Sequence, residues 1–273
     1  MYEAVTERII KKLEEGVIPW QQGWLNGGAV NWKSQKGYRG INNLLLSPGE
    51  YATFKQIKEA GGKVKKGEKS SIVVFWKWFE NEDPDTGEMK KVPFLKQYNV
   101  FEINTQVEGL NSKRNEITFD HDPIQECEKI MNDYKKNCGP LFTFLREGAW
   151  YKRDLDQVNV PPLMDFKSVE EFYSTLFHEM IHSTGHRDRL NREGIENFSR
   201  FGSKTYSKEE LVAEMGAAMI CGIVGIENKT VDNSTAYIQS WLRKLKDDKT
   251  LLIKAAGLAQ KAADHILGIE FEG

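Results

Sequence analysis

Apolar residues at the start of the chain recur every three or four positions, the spacing that places them on one face of an α-helix. Charged residues fill most of the positions between them, and Gly16 ends the pattern. We therefore predict an amphipathic helix over residues 3–15. Its apolar face consists of Val5, Ile9, Ile10 and Leu13.

The pattern then changes to one that is typical of strands. Residues 70–79, with the sequence SSIVVFWKWF, are rich in β-branched and aromatic side chains and predict a β-strand. The sequence DPDTG at residues 83–87 is typical of a turn, so we expect a second strand over residues 96–103 and a hairpin. A short helix is predicted over residues 53–60, because a glycine pair follows it.

Helical spacing dominates the second part of the chain. The helices are predicted over residues 124–137, 168–184, 207–223 and 236–266, the last one broken near Asp247 and Asp248. Extended pieces are expected at residues 141–144 and 157–160. Because Pro161 and Pro162 follow the second piece, we predict that it is an edge strand to which an extended peptide could pair.

These elements predict an α+β fold with two domains. The polar stretch at residues 109–122 marks the boundary between them. We predict a small N-terminal α+β domain with an antiparallel sheet over residues 1–115, and a mainly helical C-terminal domain over residues 116–273.

The composition is that of an ordinary folded protein. Of 273 residues, 40% are hydrophobic and 29% are charged, which excludes wholesale disorder and fibrous repeats. No apolar run approaches the roughly 18 to 20 residues of a membrane span, and the charged start is unlike a signal peptide, so we expect a cytoplasmic protein without a membrane partner. The three cysteines form no CxxC pair and predict buried, reduced thiols.

Positive charge is concentrated in one segment of the chain. The net charge is −2, yet residues 31–79 carry ten cations against three anions, a local net charge of +7. This segment therefore predicts a face that binds a polyanion.

The sequence FHEMIH contains an HExxH motif. His178 and His182 are four residues apart, so both imidazoles project from one face of the predicted helix and can share a tetrahedral zinc ion. Glu179 follows the first histidine and is placed to act as general base toward water that the metal acidifies. Chance matches to this motif number about 0.01 in a chain of this composition, so the motif predicts a hydrolytic metal site.

A third protein ligand is needed, and the sequence offers several. Glu210 and Glu214 lie four residues apart on the next predicted helix, so one can bind the metal while the other accepts the N–H of a ligand histidine. We favour Glu210 as the ligand and Glu214 as the acceptor, with the reversed roles as an alternative. Asp188, ten residues after the first histidine, and His186 are further alternatives.

Local helix chemistry offers a competing role for the same glutamates. Ser207 is predicted to be the N-cap of that helix, and Glu210, three residues later, would complete a capping box. Glu209 would then be a favourable negative charge near the helix N-terminus.

The chain resembles the ArdC-type antirestriction proteins of plasmids and phages. STLFHEMIHSTGHRDRL and SKTYSKEELVAEMGAAM, both within residues 172–226, are similar to the zincin-like metallopeptidase domain of that family, and YIQSWLRKLK and AAGLAQKAADHI fit the same domain. LEEGVIPWQQGW, NWKSQKGYRGIN, TFKQIKEAGGKVKKGEKS and LKQYNVFEINTQVEGL are similar to its single-stranded-DNA-binding domain.

The resemblance implies an N-terminal module that binds single-stranded DNA with little sequence preference and a C-terminal domain with an HExxH zinc site. It also implies a role in protecting incoming mobile DNA from host restriction. Glu102 departs from the asparagine that the family pattern leads us to expect, and adds a negative charge near the implied DNA contact.

Proteins that bind single strands combine a cationic groove with aromatic rings on which bases stack, and both ingredients are present in this segment. Alternation along residues 70–79 puts Phe75 and Trp76 on opposite faces of the strand, only one of which can serve DNA. The predicted DNA-contacting residues are Trp32, Lys33, Tyr38, Arg39, Asn42, Lys63, Lys65, Lys66 and Lys69.

The favoured function is a peptidase tethered to single-stranded DNA, acting on an unknown protein substrate with one Zn2+ or Mn2+ ion held by His178, His182 and Glu210. The alternative is an antirestriction factor that binds single-stranded DNA without catalysis and carries a structural or vestigial zinc site. A nuclease is least favoured, because histidines with one carboxylate suit zinc and carbonyl chemistry better than magnesium and phosphate chemistry.

Overall fold

The computed structural model describes residues 2–14, 28–82, 89–113, 123–196, 204–226 and 235–270 and shows the expected α+β fold. The first part contains α1 (Tyr2–Glu14), β1 (Ala29–Asn31), α2 (Asn42–Leu45), β2 (Gly49–Thr53), α3 (Phe54–Glu59), β3 (Lys63–Val64), β4 (Ser71–Glu82), β5 (Met89–Glu102), α4 (Ile103–Gln106) and β6 (Val107–Glu108). The second part contains α5 (Pro123–Asn137), β7 (Leu141–Thr143), β8 (Trp150–Lys152), β9 (Gln157–Asn159), α6 (Val169–Ser183), α7 (Glu193–Glu196), α8 (Lys204–Val224), α9 (Thr235–Asp247) and α10 (Leu251–Leu267).

A four-stranded sheet in the order β1-β2-β5-β4 forms the centre of the first part. The strands β4 and β5 form the predicted antiparallel hairpin, with Phe75 opposite Lys96. The strand β5 starts at Met89 rather than at residue 96. Backbone pairing with β4 holds its first residues in the sheet, although their sequence has little strand propensity. The predicted turn at residues 83–87 and the side chain of Trp76 lie outside the described residues.

The second part contains a three-stranded sheet in the order β7-β9-β8. The predicted edge strand at residues 157–160 corresponds to β9, which is the central strand, so that prediction is wrong. The prolines that suggested an edge come after Asn159, the last paired residue, and remove no hydrogen bond from the ladder. The edge strand beside α6 is β8.

The hydrophobic core lies mainly between α6, α8 and α10. A glycine permits the close approach of α8 to α6: a Cβ atom on Gly216 would lie 2.5 Å from Cδ1 of Ile181. This packing places the glutamates of α8 next to the histidines of α6.

The N-terminal helix packs on the C-terminal helices. Ile9 and Leu13 of α1 belong to the same apolar cluster as α6, α8 and α10. The hydroxyl of Thr6 donates to the carbonyl of Lys249 at 2.7 Å. The division of the chain at residues 115 and 116 remains a prediction.

No helix in the described ranges combines the length and apolar character needed to cross a membrane. None of the three cysteines forms a disulfide, as predicted. Cys127 and Cys221 are buried, but Cys138 is exposed because it follows the end of α5.

Candidate metal centre

Helix α6 fixes the position of the HExxH motif. It begins after Ser168, whose hydroxyl accepts a hydrogen bond from the backbone N–H of Glu171 at 3.2 Å. The side chains of Phe177, Met180 and Ile181, which surround the motif, are buried against the core. The histidines are therefore held on a rigid helix at the α6–α8 contact.

Two histidines and a glutamate direct their ligand atoms to one point. The Nε2 atoms of His178 and His182 are 3.1 Å apart. The Glu210 carboxylate lies 3.6 Å from Nε2 of His178 through Oε2, and 3.5 Å from Nε2 of His182 through Oε1. These ligand atoms all lie within 4.8 Å of one another.

The spacing fits a tetrahedral metal ion. Metal–ligand bonds of about 2.0 to 2.1 Å at tetrahedral angles separate two ligand atoms by about 3.3 Å. The observed separations of 3.1, 3.5 and 3.6 Å lie on both sides of that value. Two imidazoles and one carboxylate leave a fourth position open, as in catalytic rather than structural zinc sites.

Each of these histidines has a second carboxylate near its other ring nitrogen. Glu214 lies 3.6 Å from Nδ1 of His178, and Glu209 lies 3.5 Å from Nδ1 of His182. Among the described residues, the buried Nδ1 of His178 makes no hydrogen bond at that distance, so a small rotation toward Glu214 would satisfy it. A carboxylate at Nδ1 keeps the proton there and leaves the Nε2 lone pair for a metal.

Glu209 is a site residue that sequence analysis missed, and a buried ion pair holds it. Arg192 donates to its carboxylate at 2.5 and 3.1 Å, and the two side chains are 4% and 6% exposed. Burial favours the neutral acid, but His182 and Arg192 together lower the pKa of Glu209. No sequence pattern indicates this pairing, because the two residues are 17 positions apart and Arg192 lies in the loop before α7, whereas Glu209 lies in α8.

The negative charges of the site favour cations. Burial alone would lower the pKa of His178, but the adjacent Glu210 carboxylate and the charges of Glu214 and Glu179 raise it to about 9. The pKa of His182 is raised in the same way, against burial and chiefly by Glu210. Without a metal, the site therefore holds a proton that a metal ion would replace.

Glu179 lies next to the edge strand β8. Its carboxyl group is buried, which raises its pKa, and the nearby backbone N–H of Tyr151 is one of the groups that oppose this rise. The Tyr151 hydroxyl donates to Asp156 at 2.9 Å, and Asp156 pairs with Arg189. These contacts hold β8 at a fixed position beside the general-base candidate.

The alternative ligands lie apart from the three converging side chains. The Asp188 side chain is 79% exposed, and its carboxylate lies 3.4 Å from Nδ1 of His186. Neither residue belongs to the converging group. Helix α8 begins at Lys204, so Ser207 lies inside the helix and the predicted capping box with Glu210 is wrong.

Three of the predicted DNA-contacting side chains, those of Trp32, Tyr38 and Asn42, are buried. The indole N–H of Trp32 donates to the carbonyl of Asn111 at 2.9 Å. The side-chain amide of Asn42 exchanges two hydrogen bonds of 2.8 Å with the backbone of Val74. Tyr38 packs in the apolar cluster of the sheet. These side chains stabilise the fold.

The predicted lysines lie nearer the surface. The Lys33 ammonium is 3.3 Å from the Glu59 carboxylate, and half-buried Lys65 donates to the carbonyl of Thr105 at 2.8 Å. Glu102 caps α4, because its carboxylate accepts hydrogen bonds of 2.7 Å from the N–H and the hydroxyl of Thr105. The exposed lysines of this segment include Lys63, Lys66 and Lys69.

Arg39 contacts the C-terminal part of the chain. Its guanidinium pairs with Asp264 of α10. The backbone N–H of Gly40 donates to the Gln260 side chain at 3.0 Å, and Gln260 donates to Asp264 at 3.1 Å. The predicted DNA contact by Arg39 would therefore compete with this ion pair.

Two parts of the chain match known protein families. Residues 130–258 match the zincin-like metallopeptidase family, and residues 1–101 match the N-terminal domain of the anti-restriction factor ArdC. Both helices of the candidate metal centre lie within the first match. The fold and site thus define an antirestriction-type protein with a zincin-like metallopeptidase domain.

The whole chain is similar to the antirestriction protein ArdC from plasmid R388. The metal-free structure of ArdC shares 38% identity at a TM-score of 0.78, and the alignment covers 98% of this chain and 97% of ArdC. The Mn(II)-bound structure gives 36% identity with the same TM-score of 0.78 and the same coverage, 98% and 97%. The chain belongs to the ArdC family of antirestriction proteins.

Two curated relatives extend the comparison. The uncharacterized protein y4eC of Sinorhizobium fredii is 31% identical over 288 residues, which cover 97% of this chain and 90% of y4eC. The DNA primase TraC of Escherichia coli is 30% identical over 295 residues, which cover 98% of this chain but only 20% of TraC.

Proposed function

We propose that this chain is a metal-dependent peptidase that binds single-stranded DNA and protects mobile DNA from restriction in the cytoplasm. The convergence of His178, His182 and Glu210, with Glu179 beside them, is the observation that carries the peptidase part. The relative ArdC has a Mn(II)-bound form, which supports a divalent ion here. The donor set of two imidazoles and one carboxylate favours Zn2+, with Mn2+ as the alternative.

The residues of the site have distinct roles in peptide hydrolysis. When bound, the metal supplies Lewis-acid chemistry that acidifies water and polarises the peptide carbonyl. Glu179 takes a proton from the attacking water and passes it to the leaving amine, and its raised pKa suits both transfers. Glu209 and Glu214 hold the two ligand histidines in the tautomer with the proton on Nδ1.

The edge strand β8 offers a position for the substrate backbone. The backbone of Tyr151 lies close to Glu179, and β8 pairs with β9 along one side only. An extended peptide that paired with this edge would bring a carbonyl group close to the general base.

Glu179→Gln tests the peptidase proposal, with Glu193→Gln as a matched control at an exposed position. Both variants and the wild type are loaded with zinc and incubated with fluorescein-labelled casein. We expect full metal content in all three and a fall in hydrolysis of about 100-fold or more in Glu179→Gln alone, since general acid–base catalysis contributes typically 10²- to 10⁴-fold.

Hydrolysis by Glu179→Gln at the wild-type rate would contradict this mechanism. A zinc-loaded wild type that cleaves nothing would instead favour the alternative function, a DNA-binding factor with a structural or vestigial zinc site. Cleavage of single-stranded DNA in the same metal-loaded sample would favour the nuclease.

The local charge of +7 over residues 31–79 and the match to the ArdC N-terminal domain support single-stranded DNA as the partner. The double variant Lys63→Glu/Lys66→Glu should bind a 20-nucleotide oligothymidine more weakly than the wild type, whereas Lys261→Glu on α10 should not. The wild-type affinity should fall with salt, with a log–log slope of about −0.7 per neutralised phosphate. A salt-insensitive affinity would argue against a cationic contact.

A further inference from the structure

One face of the β4–β5 hairpin carries an aromatic ring that is open to solvent at the margin of a buried apolar cluster. Phe75 is 44% exposed, although Val73, two residues earlier on the same face of β4, is buried. A single exposed apolar side chain is common on protein surfaces and by itself indicates no function. The groups around Phe75 distinguish it from such a residue.

Phe75 belongs to a line of aromatic rings. Its ring centroid is 5.8 Å from that of Tyr98, with an interplanar angle of 72°, and 6.2 Å from that of Tyr38. Tyr38 is buried and contacts Tyr51 edge-on at 6.5 Å. Phe75 is thus supported from the core side, so ordering it on binding would cost little conformational entropy.

A cationic side chain lies beside this ring. Lys96 is directly opposite Phe75 in the hairpin, so the two side chains share a face of the sheet. The Lys96 ammonium is 5.3 Å from the centroid of the Tyr98 ring. An open ring with an adjacent ammonium matches a nucleotide, which presents a flat base and an anionic phosphate.

We propose that Phe75, supported by Tyr98 and flanked by Lys96, is a platform on which one unpaired base of single-stranded DNA stacks. This inference rests on the proposed DNA-binding function and moves the aromatic contact away from Trp32 and Tyr38, which are buried. Every base has a π face, so the platform is tolerant of sequence and needs only a base that is not paired in a duplex.

Phe54 is the competing exposed ring in this part of the chain. It is 60% exposed, but no aromatic ring or ammonium group of the described residues stacks against it. Phe75 has both kinds of neighbour, so we assign the platform to Phe75. Phe54→Leu is included in the test below because it separates the two assignments.

Phe75→Leu tests the platform, because leucine keeps an apolar side chain but offers no ring for stacking. The full chain is titrated with fluorescein-labelled 20-nucleotide oligothymidine, and binding is followed by anisotropy. Phe144→Leu is the matched control, since Phe144 is 42% exposed in the other part of the chain. We expect a loss of affinity of roughly 5- to 150-fold for Phe75→Leu, and less than about 2-fold for Phe54→Leu and Phe144→Leu.

Two further measurements separate stacking from charge and from misfolding. The salt slope should be unchanged in Phe75→Leu but smaller by about 0.7 in Lys96→Gln, which loses one phosphate contact. An abasic oligomer of equal length and charge should bind the wild type more weakly than oligothymidine, and Phe75→Leu should weaken its binding no further.

Tight wild-type binding together with an unchanged Phe75→Leu affinity would overturn the platform and leave the DNA-binding function standing. An equal loss on the abasic oligomer, or a loss in Phe54→Leu instead, would also overturn it. A wild type that does not bind oligothymidine would remove both the platform and the proposed DNA binding.

Discussion

Replacing Arg192 by methionine should separate two contributions of the buried Glu209. Its carboxylate pairs with Arg192 on one side and faces Nδ1 of His182 at 3.5 Å on the other. In Arg192→Met the carboxylate stays buried without its cation. The double variant Arg192→Met/Glu209→Gln removes both charges and nearly preserves both side-chain volumes.

The magnitudes follow from the burial of the pair. Leaving one member of a buried ion pair without its partner typically costs about 3–5 kcal/mol. Arg192→Met also removes hydrogen bonds to the carbonyl of Ile181 and the hydroxyl of Thr184, each worth about 1 kcal/mol. We expect the single variant to lose at least about 4 kcal/mol in free energy of unfolding. The double variant should lose only about 1–2 kcal/mol, because replacing both members of a buried ion pair with neutral groups often leaves stability unchanged and only the other hydrogen bonds of Arg192 are lost.

The less stable single variant should bind zinc more tightly than the more stable double variant. The single variant keeps the carboxylate that fixes the His182 tautomer, whereas the double variant presents a neutral amide. Loss of such a partner typically costs 10- to 100-fold in metal affinity. We therefore expect near wild-type zinc affinity in the single variant when it is folded, and a loss of about 10-fold or more in the double variant.

Urea unfolding of the metal-free proteins, followed by circular dichroism, gives the first quantity. Competition with a chromophoric zinc chelator at fixed pH gives the second. Arg187→Met, at an exposed arginine of the same loop, is the control and should change stability by less than about 0.5 kcal/mol. The reasoning fails if stability and metal affinity rank the single and double variants in the same order.

Three other predictions concern the site and the fold. The metal-free pKa of His178 is raised from 6.5 to about 9, so its contribution to the free energy of unfolding is fully present below pH 6.5 and is lost as the pH rises through 9. Zinc binding at pH 7 should therefore release about one proton or more. Calorimetric binding enthalpies that are equal in buffers of different ionisation enthalpy would contradict this proton release. Gly216→Ala should push α8 away from Ile181, destabilising the fold by about 1–3 kcal/mol and weakening zinc binding, which chemical unfolding and chelator competition measure. Asn42→Ala should cost about 2–4 kcal/mol in urea unfolding, because the backbone N–H and carbonyl of Val74 lose their partners; a loss below about 0.5 kcal/mol would contradict the structural role.

The sequence predicts the relative positions of the two HExxH histidines, whose Nε2 atoms are 3.1 Å apart. The spacing of His178 and His182 within one helix fixes their common face without reference to the rest of the fold. The choice of the third ligand depends on how α8 packs on α6, and that packing depends on the contact of Gly216 with Ile181. A pattern within one helix carries no record of such a contact, so the alternatives remained open at that level.

The sequence predicts the composition of a DNA-binding module but not its exposed surface. Trp32, Tyr38 and Phe75 are all aromatic residues near lysines, and composition alone does not distinguish them. Burial does: two of the three rings are covered by the fold and one is open. The edge strand β8 was missed for a related reason, since three residues are too few to establish an alternating pattern.

Metal content of the purified chain tests the three-ligand site most directly. Wild type, His178→Ala, Glu210→Ala and Asp188→Ala are incubated with zinc, dialysed and analysed for zinc and protein. We predict about one zinc ion per chain in the wild type and in Asp188→Ala, and a large loss in His178→Ala and Glu210→Ala. Full zinc content in Glu210→Ala, or a loss confined to Asp188→Ala, would contradict the assignment of His178, His182 and Glu210 as the metal ligands.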